Sequence, residues 1–142
     1  MSVHFSSSDC LIPQFNESLI TNWISLVAAN HNFKIGCINY LFCSDEYIYK
    51  TNVQFLQHDT YTDIITFDYV EGSILSGDIL ISVDRVEDNA RLFNVPFYQE
   101  LCRVIIHGIL HLIGFKDKTE FDAATMRAKE NDSLELLQTI NV

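Results

Sequence analysis

The alternation of hydrophobic and polar positions follows two periods along this chain. A period near 3.6 residues indicates a helix with one buried face, whereas short runs rich in β-branched and aromatic residues indicate strands. Strands are predicted over residues 3–5, 34–43, 63–69 and 75–83, and helices over residues 16–30, 44–55, 84–94, 96–114 and 119–139. This order predicts an α+β fold with a small mixed four-stranded β-sheet, covered mainly on one face by about five helices.

Capping and turn residues separate these elements. Residues suited to helix N-caps stand before three of the helices, at Asn16 or Ser18, Ser44 and Thr119. Gly114 suits the left-handed end of the fourth helix, and residues 71–73 suit a hairpin turn between the third and fourth strands. The first strand, helix and strand should form a right-handed parallel crossover. At 142 residues, the whole chain 1–142 is expected to form one domain.

Composition limits the classes of function. The 19 Asp and Glu residues outnumber the 9 Lys and Arg residues, and the net charge is −10. Broad, nonspecific binding of nucleic acid is therefore disfavoured, and activity on nucleic acid needs a local site. No apolar stretch approaches the roughly 20 residues of a membrane helix, and the N-terminus lacks the pattern of a secretory signal. We expect a soluble cytoplasmic protein with no membrane partner.

The cysteines agree with a reducing compartment. None of the 4 cysteines forms a C-x-x-C pair, so free thiols are expected rather than disulfides or a cysteine metal site. Cys37 and Cys43 lie in the apolar run predicted as the second strand. Since unpaired cysteine behaves as a small hydrophobic side chain, both are expected to be buried there.

The residues that carry chemistry lie at the end of the long fourth helix. His107 and His111 are four residues apart, so a helix projects both from one face. Gly114 and Asp117 complete the pattern H-x-x-x-H-x-x-G-x-x-D. Two imidazoles and a returning carboxylate can hold one Zn²⁺ ion and leave a fourth position for water, which zinc activates at a pKa of about 7. Zinc suits this set best, although nickel or iron accept the same ligand types.

The residue after the first histidine distinguishes two kinds of hydrolase. Zinc peptidases with paired histidines carry a glutamate there as general base, whereas this chain has Gly108. Glycine costs about 1 kcal/mol relative to alanine inside a helix, so its presence indicates close packing or room for a ligand. Taken singly, the histidines also fit hydrogen-bonded core residues, and Asp117 also fits a turn residue or cap.

Three blocks of sequence resemble the YbeY family of single-strand-specific endoribonucleases, which act in rRNA maturation and ribosome quality control. Residues 107–117 are similar to the family signature H-G-x-L-H-L-x-G-Y-D-H, residues 62–67 to T-D-V-L-S-F, and residues 77–82 to G-D-I-x-I-S, in the family order. The resemblance implies a zinc-dependent endoribonuclease acting at the 3′ end of 16S rRNA. Its implied partners are single-stranded rRNA and the small ribosomal subunit with its proteins, and no DNA.

The resemblance also assigns the residues of the signature. It implies that His107 and His111 are catalytic as well as metal-binding, with Asp117 in place of the family's third histidine as the third metal ligand. Lys116 stands where the family has an aspartate, which places a cation beside the site. We expect Lys116 to be catalytic and, together with Lys118, to hold the RNA phosphate.

A second departure concerns an arginine that the family carries near its cleft. Leu56 stands at that position, and leucine cannot bind phosphate. His58 is the expected substitute in substrate binding, and Lys50 is another nearby cation. Four polar residues of the two strand blocks fit either partners that orient metal ligands or ordinary sheet residues: Thr62, Asp63, Thr66 and Asp78.

Two other functions stay open. A zinc metalloprotease or amidase shares the histidine spacing but is opposed by Gly108. A ribosome-assembly factor with a structural metal and no catalysis fits the loss of the arginine at Leu56. The nucleophile is also open, since either water or a substrate 2′-hydroxyl polarised by the metal can attack the phosphodiester. Arg103 and the two lysines beside the signature interrupt the acidity there, which predicts a confined cationic site on an acidic protein.

Overall fold

The computed structural model describes residues 2–56 and 62–141. These residues form, in chain order, β1 (Ser2–Ser7), α1 (Glu17–Asn30), β2 (Lys34–Cys43), α2 (Asp45–Thr51), a π-helical turn (Asn52–Leu56), β3 (Ile64–Asp68), β4 (Ile74–Ser82), α3 (Val83–Phe93), α4 (Phe97–Ile113) and α5 (Glu120–Ile140). The predicted α+β fold is confirmed, and the predicted second helix differs only in that its last turn is π-helical. None of the helices described combines the length and hydrophobicity that crossing a lipid bilayer demands.

The four strands form one mixed sheet in the order β1-β2-β4-β3. β1 and β4 both run parallel to β2, and β3 runs antiparallel to β4. The parallel pairing of β1 and β2 across α1 agrees with the predicted crossover. β3 and β4 form the predicted hairpin, in which Gly72 has a φ of 59° and Glu71 pairs with Ile74. β3 is therefore an edge strand, and its beginning borders the candidate site.

Side-chain caps fix where the helices begin. Asn16 caps α1 by accepting a 3.1 Å hydrogen bond from the backbone N–H of Leu19, so it is the N-cap rather than Ser18. Ser44 caps α2 and Thr119 caps α5, as the sequence predicts. Such caps satisfy backbone N–H groups that the first turn of a helix leaves unpaired. The cap at Thr119 positions α5, which supplies one wall of the site.

The main hydrophobic core lies between one face of the sheet and helices α1, α4 and α5. Two buried polar groups connect its layers. The indole N–H of Trp23 donates to the Ser133 carbonyl oxygen at 2.7 Å, and the Tyr40 hydroxyl donates to the Ile105 carbonyl oxygen at 2.8 Å. Because neither donor is left unsatisfied, these contacts hold α5 and α4 in place at little cost of burial.

The opposite face of the sheet is covered only in part. A smaller cluster there packs Ile48 of α2 against Cys43, Ile65 and Leu80. Cys43 is buried in it, as predicted, but the prediction that Cys37 is buried is wrong. Alternation along β2 turns both cysteines to this second face. α2 covers only the end of the strand that contains Cys43, so Cys37 remains exposed.

Candidate active site

A cleft of about 470 Å³ opens between α4, α5 and the beginning of β3. The three predicted metal ligands, His107, His111 and Asp117, all line it. The opposite wall includes Thr62, Asp63 and Thr66. The cleft thus brings together two of the sequence blocks that lie more than 40 positions apart along the chain.

Helix α4 presents the two histidines from one turn of helix. His107 is 17% exposed at its side chain, whereas His111, one turn further along, is exposed. α4 ends at Gly114, whose φ of 127° is a conformation that side-chain-bearing residues rarely adopt. Its backbone N–H bonds to the carbonyls of Leu110 and His111. The chain then reverses, and this reversal returns Asp117 to the face of α4 that carries the histidines.

The contact between His107 and Asp117 has the spacing of two metal ligands. His107 Nε2 lies 3.4 Å from Asp117 Oδ2. Two donors bound to one tetrahedral zinc ion, each about 2.1 Å from it, lie about 3.4 Å apart. Within residues 2–56 and 62–141, no three His, Cys, Asp or Glu side chains are arranged to hold an ion, so the three predicted ligands do not form a complete set as they stand. Two of the three predicted ligands therefore have a ligand-like separation.

The other nitrogen of His107 is fixed by a buried carboxylate. His107 Nδ1 lies 2.7 Å from Glu130 Oε2, and Glu130 of α5 is only 2% exposed at its side chain. Since an ionised carboxylate only accepts hydrogen bonds, Nδ1 carries the proton and Nε2 faces Asp117. Burial disfavours the imidazolium, but the hydrogen bond and charge of Glu130, with smaller contributions from Asp117 and Asp63, outweigh it and raise the pKa of His107.

Arg103 compensates the buried negative charge. Its guanidinium donates to Glu130 Oε1 at 3.1 Å and to both carboxylate oxygens of Glu100, which is also buried. Burial would raise the pKa of Glu130, yet its hydrogen bond with His107 and the charge of Arg103 lower it. Burial also opposes the charge of Arg103, but the two carboxylates raise its pKa. Both carboxylate and guanidinium are therefore charged around neutral pH.

This cluster of Glu100, Arg103, His107 and Glu130 was not predicted from the sequence. A signal for it exists in α5, where the buried positions are Met126, Glu130, Ser133 and Leu137. These positions follow the spacing of a helix face that packs on a core. A glutamate on such a face needs a charged or hydrogen-bonding partner, because a buried unpaired carboxylate is strongly disfavoured. The sequence does not say that the partner is a histidine 23 positions earlier.

The two lysines predicted to bind substrate lie outside the cleft. Lys116 and Lys118 are exposed in the turn after α4 and do not line the cleft. His58 lies outside the described residues, and their roles stay predictions. Lys50 is exposed on α2, where it pairs with Glu46. The basic side chains that line the cleft, within the described part of the chain, are Arg103 and Arg127.

The structure distinguishes the two interpretations of the strand-block residues, which were that they orient metal ligands or that they are ordinary sheet residues. Thr62, Asp63 and Thr66 line the cleft, which places them where they can orient ligands. Asp78 does not, because its side chain lies on the opposite face of the sheet and accepts a 3.1 Å hydrogen bond from Asn39. An orienting role for Asp78 at the candidate site is therefore not supported by its position.

Gly108 fits the close-packing interpretation. A Cβ at this residue would lie 2.9 Å from Ile79 Cδ1 and 3.2 Å from Ile64 Cδ1. α4 therefore approaches the sheet too closely here for a larger side chain to fit without displacing these isoleucines. A glutamate at this position would point into the core side of the helix instead of reaching the cleft as a general base.

Known proteins share this sequence and fold. Residues 3–138 match the sequence profile of the family described as Endoribonuclease YbeY. A protein named Endoribonuclease YbeY from Flavobacterium johnsoniae is 55% identical over 119 residues, which cover 84% of this chain and 86% of the relative. A relative of the same name from Porphyromonas gingivalis is 48% identical over 136 residues, covering 96% and 90%.

A solved structure agrees with the sequence matches. The solution structure of a Thermotoga maritima protein superposes with a TM-score of 0.65 at 28% sequence identity, covering 96% of this chain and 89% of that one. The three similar blocks, the profile match and the named relatives all lead to the same assignment. The chain belongs to the endoribonuclease YbeY family.

Proposed function

We propose that this endoribonuclease is zinc-dependent and specific for single-stranded RNA, and that it acts in 16S rRNA 3′-end maturation and ribosome quality control in the cytoplasm. Its family is one of hydrolases that act on RNA. The observation that carries the zinc proposal is the 3.4 Å separation of His107 Nε2 and Asp117 Oδ2. That separation matches neighbouring ligands of a tetrahedral ion.

The ligands proposed for zinc are His107, His111 and Asp117. Residues four apart on a helix have Cβ atoms about 5–6 Å apart on one face, so a change of side-chain torsion can bring the His111 imidazole to the other two donors. When bound, zinc activates water near neutral pH and polarises a phosphoryl oxygen. Three protein ligands leave an open position, which is typical of catalytic rather than structural zinc sites.

In this proposal, Glu130 orients the imidazole ring of His107. Its carboxylate holds Nδ1–H of His107 at 2.7 Å, which fixes the tautomer and directs the Nε2 lone pair into the cleft. Arg103 in turn holds the other oxygen of Glu130. The ring of His107 is thus positioned by protein contacts before any ligand arrives, so little reorganisation is needed when one does.

The charge of the cleft supports a need for a cation. Asp63, Asp117 and Glu130 line it together with two arginines, so the carboxylates outnumber the guanidiniums. An RNA phosphodiester is not attracted by such a wall. A bound divalent ion is the largest local charge and makes the same cleft net positive.

The proposed substrate is single-stranded rRNA within a small-subunit particle. Unpaired nucleotides can be splayed out of their stack and enter a cleft that a rigid duplex cannot. A net charge of −10 disfavours capture of free RNA by the protein surface as a whole. Presentation of the RNA by the ribosomal subunit and its proteins would supply the encounter that this acidic surface does not.

The two other functions are less well supported. A metallopeptidase needs a general base after the first histidine, but Gly108 packs against Ile79 and Ile64 on the sheet side of α4. A purely structural metal is normally enclosed by four protein ligands, whereas the proposed ligands line an open cleft of about 470 Å³. Both observations favour catalysis on a ligand that enters the cleft.

The test combines metal analysis with cleavage. Purified protein is expected to contain about one zinc ion per chain, to cleave single-stranded rRNA in preference to duplex, to lose this activity with a chelator and to regain it with zinc. The His107→Ala, His111→Ala variant should bind no zinc and cleave nothing. His4→Ala, which removes an exposed histidine from β1, is the matched control and should behave as wild type. Unchanged cleavage by the double variant would refute the proposal.

A further inference from the structure

We propose that Arg127 is the residue of this cleft that binds a backbone phosphate of single-stranded RNA. The inference rests on the proposed function, because it names the substrate contact of the same site. It assigns to α5 the role that the sequence suggested for Lys116, Lys118 and His58.

The position of Arg127 is the first argument. Its side chain lines the cleft together with His107, His111 and Asp117, and it is 50% exposed. Its guanidinium is therefore accessible to a ligand that occupies the cleft. Lys116 and Lys118 are exposed but do not line the cleft.

Comparison with Arg103 is the second argument. Arg103 also lines the cleft, but it is only 12% exposed and donates to Glu100 and Glu130 through three nitrogens. Its charge is balanced by these two buried carboxylates, so its guanidinium is not available to bind a ligand. Arg127 approaches Glu130 Oε1 at 3.6 Å, which is longer than a hydrogen bond, and Arg103 already donates to that oxygen.

An aromatic side chain positions the Arg127 guanidinium. Its central carbon lies 5.9 Å from the ring centroid of Phe93, at the end of α3. Contact with an aromatic face attracts a guanidinium and restricts its rotamers while its N–H groups stay available at the edge. Held between Phe93 and the carboxylate of Glu130, Arg127 can present two parallel N–H groups to the oxygens of one phosphate. The ligand of Arg127 is thus the phosphodiester backbone, which it would bind regardless of the base sequence.

Binding measurements test this assignment independently of catalysis. The probe is a fluorescent 2′-O-methyl single-stranded oligonucleotide, titrated with zinc-loaded protein by anisotropy between 25 and 300 mM KCl and checked for integrity afterwards. Arg127→Ala should raise Kd about threefold to tenfold at 100 mM salt, equally for all base sequences, and reduce the log–log salt slope by about 0.7, the value for one phosphate of a single strand. Arg127→Lys keeps the charge, so it should keep the slope while losing part of the affinity.

Arg91→Ala is the matched control. Arg91 is an exposed arginine of α3 that pairs with Glu87 and does not line the cleft, so its removal changes the net charge equally. The control should leave Kd and salt slope close to wild type. Thermal unfolding and zinc content should be the same for all variants, since Arg127 is neither buried nor a proposed ligand.

The outcomes separate this inference from the proposed function. Equal Kd and slope for Arg127→Ala and Arg91→Ala would overturn the phosphate contact, even if wild-type protein cleaves RNA normally. Wild-type binding too weak to detect at 25 mM salt would overturn it as well. If wild type binds as expected but does not cleave with any metal, the proposed function fails while the phosphate contact stands. In a cleaving enzyme, Arg127→Ala should raise KM more than it lowers kcat, and a loss in kcat alone with unchanged Kd would refute the contact.

Discussion

Replacement of Glu130 by glutamine is the sharpest probe of the site, because it changes the charge that holds His107 without changing the shape of the side chain. The wild-type carboxylate is 2% exposed and makes charge-assisted hydrogen bonds of 2.7 Å to His107 and 3.1 Å to Arg103. A hydrogen bond to a charged group contributes about 1.5–3 kcal/mol. Removal of one partner of a buried ion pair costs about 3–5 kcal/mol.

The size of the expected loss in stability decides which variant of Glu130 is useful. Glu130→Ala would lose both bonds, and the resulting loss of about 3–6 kcal/mol reaches the lower end of the stability of a small domain, which is about 5–15 kcal/mol. Glu130→Gln retains an amide oxygen that can accept from His107 Nδ1, so we expect a loss of about 1–3 kcal/mol in the free energy of unfolding. Loss of a carboxylate that orients a metal-binding histidine typically weakens metal affinity about 10–100-fold.

Two assays measure these effects. Urea denaturation gives the free energy of unfolding, and competition with a chromogenic chelator gives zinc affinity for the folded variant. Glu135→Gln, an exposed glutamate on the same helix, is the control and should change neither. Wild-type zinc affinity in a folded Glu130→Gln protein would show that Glu130 does not orient a metal-binding His107, whatever the effect on stability.

Two further predictions concern packing and thiol chemistry. Gly108→Ala should destabilise the protein, because the added methyl meets Ile79 at 2.9 Å. Overpacking costs about 1–3 kcal/mol and the gain in helix propensity is about 1 kcal/mol, so a net loss of up to about 2 kcal/mol is expected. A urea midpoint at or above wild type would contradict the close approach. At pH 8, iodoacetamide should label exposed Cys37 while Cys43 and Cys102 stay protected, since burial raises the thiol pKa to about 12 in Cys43 and about 11 in Cys102 and only the thiolate reacts. Mass spectrometry of the intact and urea-unfolded protein checks this, and labelling of Cys43 as fast as Cys37 in the folded state would contradict it.

Local patterns predicted much of the fold because the forces behind them are local. Hydrophobic periodicity predicted the bounds of the helices and strands to within a few residues. The residue types of Ser44 and Thr119 were enough to predict the helix caps at those positions. The histidine pair on α4 was equally accessible, since helix geometry alone puts His107 and His111 on one face. Cys37 was mispredicted because periodicity identifies the faces of a strand but not which stretch of each face a neighbouring helix covers.

The rest of the site depends on tertiary contacts that no local pattern encodes. Proximity in sequence suggested Lys116 and Lys118 as the cations beside the metal ligands, yet the turn after Gly114 leaves both outside the cleft. Arg103 and Arg127 come from different helices and meet only because α5 docks against α4. The role of Glu130 could not be predicted for the same reason, since its partner His107 is 23 positions away along the chain.

The docking of α5 has a consequence for the lifetime of the site. Its fully buried residues are Met126, Glu130, Ser133 and Leu137, of which two are polar, while Leu134, Leu136 and Ile140 pack on the core but are only partly buried. We expect such a helix to detach at lower free energy than the central strands do, with its amides exchanging with solvent through that local opening. Each opening removes one wall of the cleft together with the carboxylate that holds His107. We therefore expect the enzyme to lose its site by undocking of one helix well before it unfolds, so that occupancy of the cleft should slow hydrogen exchange in α5 first.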